Sequence, residues 1–179
     1  DLRGVSYPDS GRSVGEQLTH LIATLGENMV LRRVSVCRAD SGVLASYVHN
    51  TLAPGLGKIG VLMAVESGTD GAELEQLAKQ LAMHVAAANP QAVSSADLDP
   101  AVLERERSIL GEQARASGKP EDIVEKMIEG RMRKFYEEVC LLDQAFVIDG
   151  ETKVAQVLEA AGLELGSPVA VKEFARFAL

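Results

Sequence analysis

The feature that most constrains this fold is a pair of charged amphipathic helices standing between two groups of β-type segments. Val102 to Ser117 and Glu121 to about Val139 place apolar residues at helical spacing, and Ser117-Gly-Lys-Pro120 interrupts the pattern between them. Two such helices around a short turn predict an antiparallel hairpin. Because β-type sequence returns after the hairpin, the simplest architecture has the hairpin inserted into one domain.

The hairpin is expected to have a narrow apolar seam, because apolar positions cover only one stripe of each helix. Its predicted members are Val102, Leu103, Ile109 and Leu110 on the first helix and Ile123, Met127, Ile128, Met132, Phe135 and Val139 on the second. A pair of helices with so narrow a seam either projects as a coiled coil or finds a partner.

The remaining segments predict an α+β fold with antiparallel three-stranded sheets and packed helices. Short, turn-rich links between the first β-type segments favour antiparallel pairing, and Lys58–Val65 is apolar enough to lie centrally. The predicted strands are Met29–Val36, Val43–Val48, Lys58–Val65 and Val169–Leu179, with β-like sequence also at Ala145–Ile148. The predicted helices are Val14–Leu25, with a capping box at Ser13 and Glu16 and an end at Gly26, then Ala72–Ala88 and Val154–Ala161.

Charge and composition exclude several classes of function. The formal net charge is −8, so the chain is expected to repel phosphate backbones and not to bind nucleic acid directly. No uncharged apolar run reaches the roughly 18 residues of a membrane-spanning helix, and no signal peptide opens the chain, so no membrane association is expected. Cys37 and Cys140 lie in apolar surroundings without metal-ligand spacing, which indicates reduced cysteines in a cytoplasmic protein.

No catalytic, metal or cofactor motif emerges from the chain. Gly55-Leu-Gly57-Lys58 is not a phosphate-binding loop, because Leu52 and Ile59 stand where that loop needs Gly and Ser or Thr. His20 and His84 are predicted to be structural or solvent-facing, whereas His49 ends a strand beside a loop, where contact residues concentrate. A binding protein is therefore favoured over an enzyme, and thiol chemistry at a cysteine is the least implausible enzymatic alternative.

Short motifs along the chain resemble those of the elongation factor Ts family. The motifs are Leu25-Gly-Glu-Asn28 with Leu31-Arg-Arg-Val34, Ser46-Tyr-Val-His49, Lys58-Ile-Gly-Val-Leu62, Gln80-Leu-Ala-Met-His-Val-Ala-Ala87, Ser117-Gly-Lys-Pro120, Glu125-Lys-Met with Glu129-Gly-Arg-Met-Arg-Lys-Phe135, Gln144-Ala-Phe-Val147 and Phe174-Ala-Arg-Phe177. In this order they cover nearly the whole chain from Val14 onward. The family's ubiquitin-associated-type front domain and its Thr-Asp-Phe-Val segment find no counterpart, so a chain lacking that front part is expected.

The resemblance implies a translation elongation factor of bacterial type. Such a guanine-nucleotide exchange factor binds elongation factor Tu, in its GDP-bound and nucleotide-free forms, and promotes GDP release without enzymatic chemistry or a cofactor. The residues implied to bind elongation factor Tu are Leu25, Gly26, Asn28 and His49. Leu25 would pack on the nucleotide domain, although it equally continues the apolar stripe of a core helix, and His49 would approach the third domain of elongation factor Tu.

The resemblance also implies a division into subdomains. Residues 1–40 would be a truncated first core subdomain, residues 41–97 and 138–179 the second, and residues 98–137 an inserted coiled-coil hairpin that serves for dimerisation. The alternative function is a docking or self-association module, with a homodimer through the hairpin and no exchange activity in this chain.

Overall fold

A computed structural model describes residues 1–179 and shows five helices and three strands. The elements are α1 Val14–Leu25, β1 Val43–Ala53, β2 Leu56–Ser67, α2 Ala72–Ala88, α3 Pro100–Arg115, α4 Glu121–Val139, α5 Val154–Leu165 and β3 Val169–Ala178. The predicted α+β class with an antiparallel three-stranded sheet is confirmed. The chain divides into an N-terminal unit, Asp1–Val36, and a sheet unit, Cys37–Leu179.

Local signals at both ends define the helix of the N-terminal unit. The Ser13 hydroxyl accepts from the Glu16 N–H at 3.2 Å, and the Glu16 carboxylate accepts from the Ser13 N–H at 2.7 Å. Gly26 takes the left-handed conformation at φ 72° and donates its N–H to the Ile22 carbonyl. No residue of this unit is buried, so α1 depends on its caps and not on a core of its own.

The predicted strand at Met29–Val36 is wrong. The segment has no regular secondary structure and joins no sheet. The apolar side chains that suggested a strand, Val30, Val34 and Val36, are all exposed. High β-propensity reflects the packing of side chains on a pleated, half-buried surface, and this segment has no neighbouring strand to supply one.

The three strands form an antiparallel sheet in the order β1-β2-β3, so the prediction of a central position for β2 is confirmed. Along β1 and β2, Tyr47 pairs with Val61 and His49 with Ile59. On the other side of β2, β3 pairs Phe174 with Met63. The third strand is thus the C-terminal segment, which the sequence predicted to complete the domain begun near Val43.

One face of the sheet packs against α2 and forms the main core. Alternate residues of β2 point to this face, and the buried stripe of α2 covers them. The fully or nearly fully buried members are Val61, Met63, Val65, Leu74, Ala78, Leu81, Ala82, Val85, Leu141 and Val154. The core is almost wholly aliphatic, and Phe146 is its one buried aromatic residue.

Helices α3 and α4 form the predicted antiparallel hairpin with an apolar cluster of their own. Its buried members are Leu110, Ala114, Val124, Ile128 and Met132. Three residues assigned to the seam, Val102, Ile109 and Ile123, are instead exposed. The helical spacing identified both helices, but these residues lie at the margins of the stripe, where the partner helix does not cover them.

The segment after the hairpin differs from its prediction in two respects. Ala145–Ile148 forms no strand and makes only a single antiparallel bridge, between Ala145 and Lys153. Helix α5 extends beyond the predicted end at Ala161 to Leu165, and Gly166 in the left-handed conformation ends it. A run of four β-type residues without a pairing strand gains too little hydrogen bonding to form a ladder.

Candidate functional site

The implied contact residues of the N-terminal unit lie at the end of α1. Leu25 is the last residue of the helix and is 61% exposed, so nothing within this unit covers its side chain. Gly26 needs its left-handed conformation to end the helix, and Asn28 follows it as an exposed residue. An exposed leucine at a capped helix end can contact another protein without any rearrangement of this unit.

His49 lies near the end of β1 in the sheet unit. Its Nδ1 is 3.1 Å from the Tyr47 hydroxyl, and the two ring centroids are 6.1 Å apart. The two residues point to the same face of the sheet because they are two positions apart on one strand. Asn50 follows within β1 at φ 51°, a left-handed conformation. The prediction that His49 ends a strand beside a loop is wrong, because β1 runs on to Ala53 and only Pro54 and Gly55 form the turn into β2.

A pocket of about 400 Å³ lies beside this histidine, where the packed face of the sheet meets the last turn of α2. We call it the His49 pocket. It is lined by Tyr47, His49, Ile59, Met83, Ala86, Ala87, Val147 and Arg176. Its apolar surface with a few polar groups at the edge is typical of recognition sites.

Arg176 fixes one side of the His49 pocket. Its Nε and Nη2 donate to the Ala86 carbonyl at 3.3 and 3.2 Å. Ala86 lies in the last turn of α2, where carbonyls lack helical partners and the helix dipole favours a positive charge. The guanidinium therefore joins β3 to the end of α2.

A buried histidine lies behind the opposite side of the pocket. His84 on α2 is fully buried, and its Nδ1 accepts the backbone N–H of Val147 at 3.1 Å. Its Nε2 must then carry the hydrogen and donate to the Gln144 side-chain oxygen, 2.9 Å away. The Gln144 amide nitrogen donates in turn to the Glu138 carbonyl at 2.7 Å. Every polar atom of this network has a partner, as a buried network requires.

Acidification should lower the free energy of unfolding of the sheet unit, and His84 is the residue responsible. Burial lowers the pKa of His84 from 6.5, against a smaller opposing effect of the bond to Gln144. The unfolded chain therefore binds this proton first, so the free energy of unfolding should fall as pH drops below about 6.5 and level off below the pKa of the folded state. Urea unfolding at several pH values between 7.5 and 5 measures the slope.

His84→Asn should remove this part of the pH dependence, and His20→Asn on the exposed face of α1 should leave it unchanged. The same slope in the wild-type and His84→Asn chains would contradict the assignment.

The thiols offer little to an enzyme mechanism. Cys37 and Cys140 are both free and buried. Burial raises the pKa of Cys140 to about 11 and also raises that of Cys37. Since the thiolate is the reactive species, both environments disfavour thiol chemistry.

Three further features of the fold concern phosphate, metal and membrane sites. The glycine-containing segment Gly55–Lys58 covers the end of the turn between β1 and β2 and the start of β2, whereas a phosphate-binding loop lies between a strand and a helix. No three His, Cys, Asp or Glu side chains cluster as metal ligands. None of the helices combines the length and apolarity needed to cross a bilayer.

The sequence names His49 as a candidate, but it indicates neither the pocket beside it nor the hydrogen bonds of His84. The pocket takes residues from β1, β2, α2, the segment after the hairpin and β3. The one available signal was that the segments containing His84 and Gln144 both belong to the motifs quoted above, although no spacing rule connects them.

The sequence model of the family described as Elongation factor TS matches residues 1–179. The chain belongs to the elongation factor Ts family. Elongation factor Ts of Rhodospirillum centenum is 56% identical over 178 residues, which cover 99% of this chain and 58% of that relative. The Rhodospirillum rubrum protein gives 56% over 179 residues with the same two shares, and that of Gluconobacter oxydans gives 60% over 156 residues, 87% of this chain and 52% of the relative.

The chain thus spans a little over half the length of the curated relatives that it matches. The match includes both the end of α1 and the His49 pocket.

Proposed function

We propose that this chain binds elongation factor Tu and promotes the release of GDP from it during translation elongation in the cytoplasm. The observation that carries the proposal is the family match over residues 1–179, with 56% identity to bacterial elongation factor Ts over nearly the whole chain. The geometry supports it, because the implied contact residues Leu25 and His49 are available on the surface, one at a helix end and one beside a pocket.

Exchange of this kind works through differential binding. If the chain binds nucleotide-free elongation factor Tu more tightly than the GDP-bound form, thermodynamic linkage requires that it weaken GDP binding by the same factor. Each tenfold difference corresponds to about 1.4 kcal/mol. The chain then acts as a binding protein and needs no nucleophile, general base or cofactor of its own.

We assign the contacts to two places, one in each unit. In the N-terminal unit, Leu25 supplies an apolar side chain, and the turn at Gly26 presents Asn28 next to it. In the sheet unit, His49 and the pocket beside it form the second contact, which we assign to the third domain of elongation factor Tu. Buried apolar contacts of this kind contribute most of the affinity at protein interfaces.

The alternative function is self-association or docking without exchange. The exposed apolar residues Val102, Ile109 and Ile123 on the hairpin favour it, because a second copy would cover them. We propose residues 98–137 as this inserted coiled-coil module, residues 1–40 as part of a first core subdomain, and residues 41–97 with 138–179 as the second. The two functions are compatible, since they use different surfaces.

Leu25→Ala and His49→Ala should each weaken binding to elongation factor Tu about tenfold, or about 1.4 kcal/mol, without unfolding the chain. Both side chains are on the surface, so truncation removes contacts with a partner and little of the core. The measurement is the release rate of a fluorescent GDP from elongation factor Tu as a function of chain concentration, with light scattering to give the oligomeric state.

The matched controls are Leu163→Ala, an 80% exposed leucine on α5, and His20→Ala on α1. Wild-type affinity in both contact variants would refute the residue assignments. A wild-type chain that associates with itself but leaves GDP release unchanged would favour the alternative function.

A further inference from the structure

One wall of the His49 pocket is formed by a segment that has no regular secondary structure. Val147 forms part of the pocket wall, and its side chain is 46% exposed. The residue before it, Phe146, points inward and is buried against the His84 ring, with centroids 5.8 Å apart. Val147 opens a turn that the Gly150 N–H closes on the Phe146 carbonyl, so the position of the Val147 backbone determines where the wall stands.

The anchor of that backbone is the His84 imidazole. The Val147 N–H donates to Nδ1 at 3.1 Å, while neighbouring backbone bonds hold Phe146 to Thr152 and Gly150 to Phe146. His84 itself lies on α2 next to the fully buried Val85. The histidine therefore ties an irregular segment to the helix that covers the main core.

We propose that His84 is a positioning residue that fixes Val147 as one wall of the His49 pocket and so sets how well the pocket fits elongation factor Tu. The inference rests on the proposed function, since it concerns how the partner surface in the sheet unit is held. His84 is fully buried, and we assign its effect on binding to the hydrogen bond that holds Val147.

The hydrogen-bond network allows only one arrangement of donors and acceptors around His84. Gln144 turns its oxygen toward His84 because its amide nitrogen is engaged with the Glu138 carbonyl. An oxygen at that position requires a hydrogen on His84 Nε2, which leaves Nδ1 as an acceptor for Val147. Gln144 and the end of α4 thus hold the imidazole in the one neutral tautomer that can accept the Val147 N–H.

A matched pair of substitutions separates this role from packing. His84→Asn places an amide oxygen near the position of Nδ1 and can still accept from Val147. His84→Gln places an amide nitrogen near the position of Nε2 and keeps the bond to Gln144, but it leaves the Val147 N–H without its acceptor. Both variants lose the ring, so their losses of packing are similar.

We expect His84→Gln to speed hydrogen exchange of the Val147 amide about tenfold and to weaken binding to elongation factor Tu about tenfold, as for one lost buried hydrogen bond. His84→Asn should retain affinity and exchange protection within about threefold of the wild type. Hydrogen exchange by NMR on the free chain, urea unfolding and binding titrations give the three quantities. A third variant, Val147→Ala, keeps the hydrogen bond from the backbone N–H of residue 147 to His84 but removes the side chain that forms the pocket wall. It should therefore weaken binding to elongation factor Tu without speeding hydrogen exchange of that amide.

Equal affinities for His84→Asn and His84→Gln would overturn the inference, since a merely structural histidine affects both through stability. Wild-type affinity in Val147→Ala would overturn it as well. Because Val147 is partly exposed, this variant still tests the inference if both His84 variants unfold. If the wild-type chain itself fails to bind elongation factor Tu, the proposed function fails and the pocket loses its partner. Faster hydrogen exchange of the Val147 amide in His84→Gln than in His84→Asn would then still support the positioning role of His84 within the chain. Equal exchange rates in the two variants would refute that role as well.

Discussion

Gly42→Ala should destabilise the sheet unit by about 3 kcal/mol, the sum of a left-handed backbone penalty and an overpacking cost. Gly42 has φ 99°, a conformation that residues with a Cβ rarely adopt. An added Cβ would overlap the Val65 carbonyl oxygen and lie 2.8 Å from the Ser67 nitrogen. Both atoms belong to the backbone of the central strand, so relief of the overlap requires a shift of the sheet. The midpoint of urea unfolding, followed by circular dichroism, measures the loss.

Gly55→Ala is the matched control. Gly55 also has a positive φ, 75°, but an added Cβ there meets no atom within 4 Å. The control should therefore lose only the conformational part, about 1 kcal/mol. If both variants unfolded at the same urea concentration, the close approach of Gly42 to β2 would be refuted.

Leu81→Ala should cost about 2–5 kcal/mol of the free energy of unfolding, the range for deleting a buried leucine side chain. Leu81 on α2 is fully buried in the cluster that joins this helix to Met63 and Val65 of the central strand. A core so poor in aromatic residues depends on well-packed aliphatic side chains, and truncating one leaves a cavity that its neighbours only partly fill.

The control for this prediction is Leu163→Ala, because Leu163 is 80% exposed and its truncation should change stability by less than about 0.5 kcal/mol. Unfolding curves of the two variants, recorded in the same buffer, make the comparison. A small loss in Leu81→Ala would mean that the helix does not pack on the sheet as described.

The elements that the sequence predicted well are those with strong local signals. Helix α2 was predicted at its observed bounds because its apolar spacing is regular and Asn89-Pro90 ends it. Helix α1 was predicted equally well from its capping box and Gly26. In contrast, Met29–Val36 has a strand-like composition but no neighbouring strand, and pairing is a property of the fold that composition does not show.

The candidate site was predictable only in part. His49 could be singled out from its predicted place at a strand end and from the resemblance, although β1 in fact runs on to Ala53, whereas the pocket beside it needs segments that are far apart in sequence. The hydrogen bond between His84 and Gln144 joins residues 60 positions apart. A single histidine on a helix gives no indication of such a partner, because the pairing arises only when α2 and the segment after the hairpin pack together.

The pairing of β2 with β3 has a consequence for folding on the ribosome. Ile59 pairs with Ala178, so the sheet cannot close until β3, which is made after the hairpin, has left the exit tunnel. Until then one edge of the central strand remains open, and an open edge favours aggregation. The α3–α4 hairpin, whose contacts are local, can form during this interval. Because synthesis proceeds from the N-terminus, the arrival of β3 ends the period in which the open edge of β2 favours aggregation.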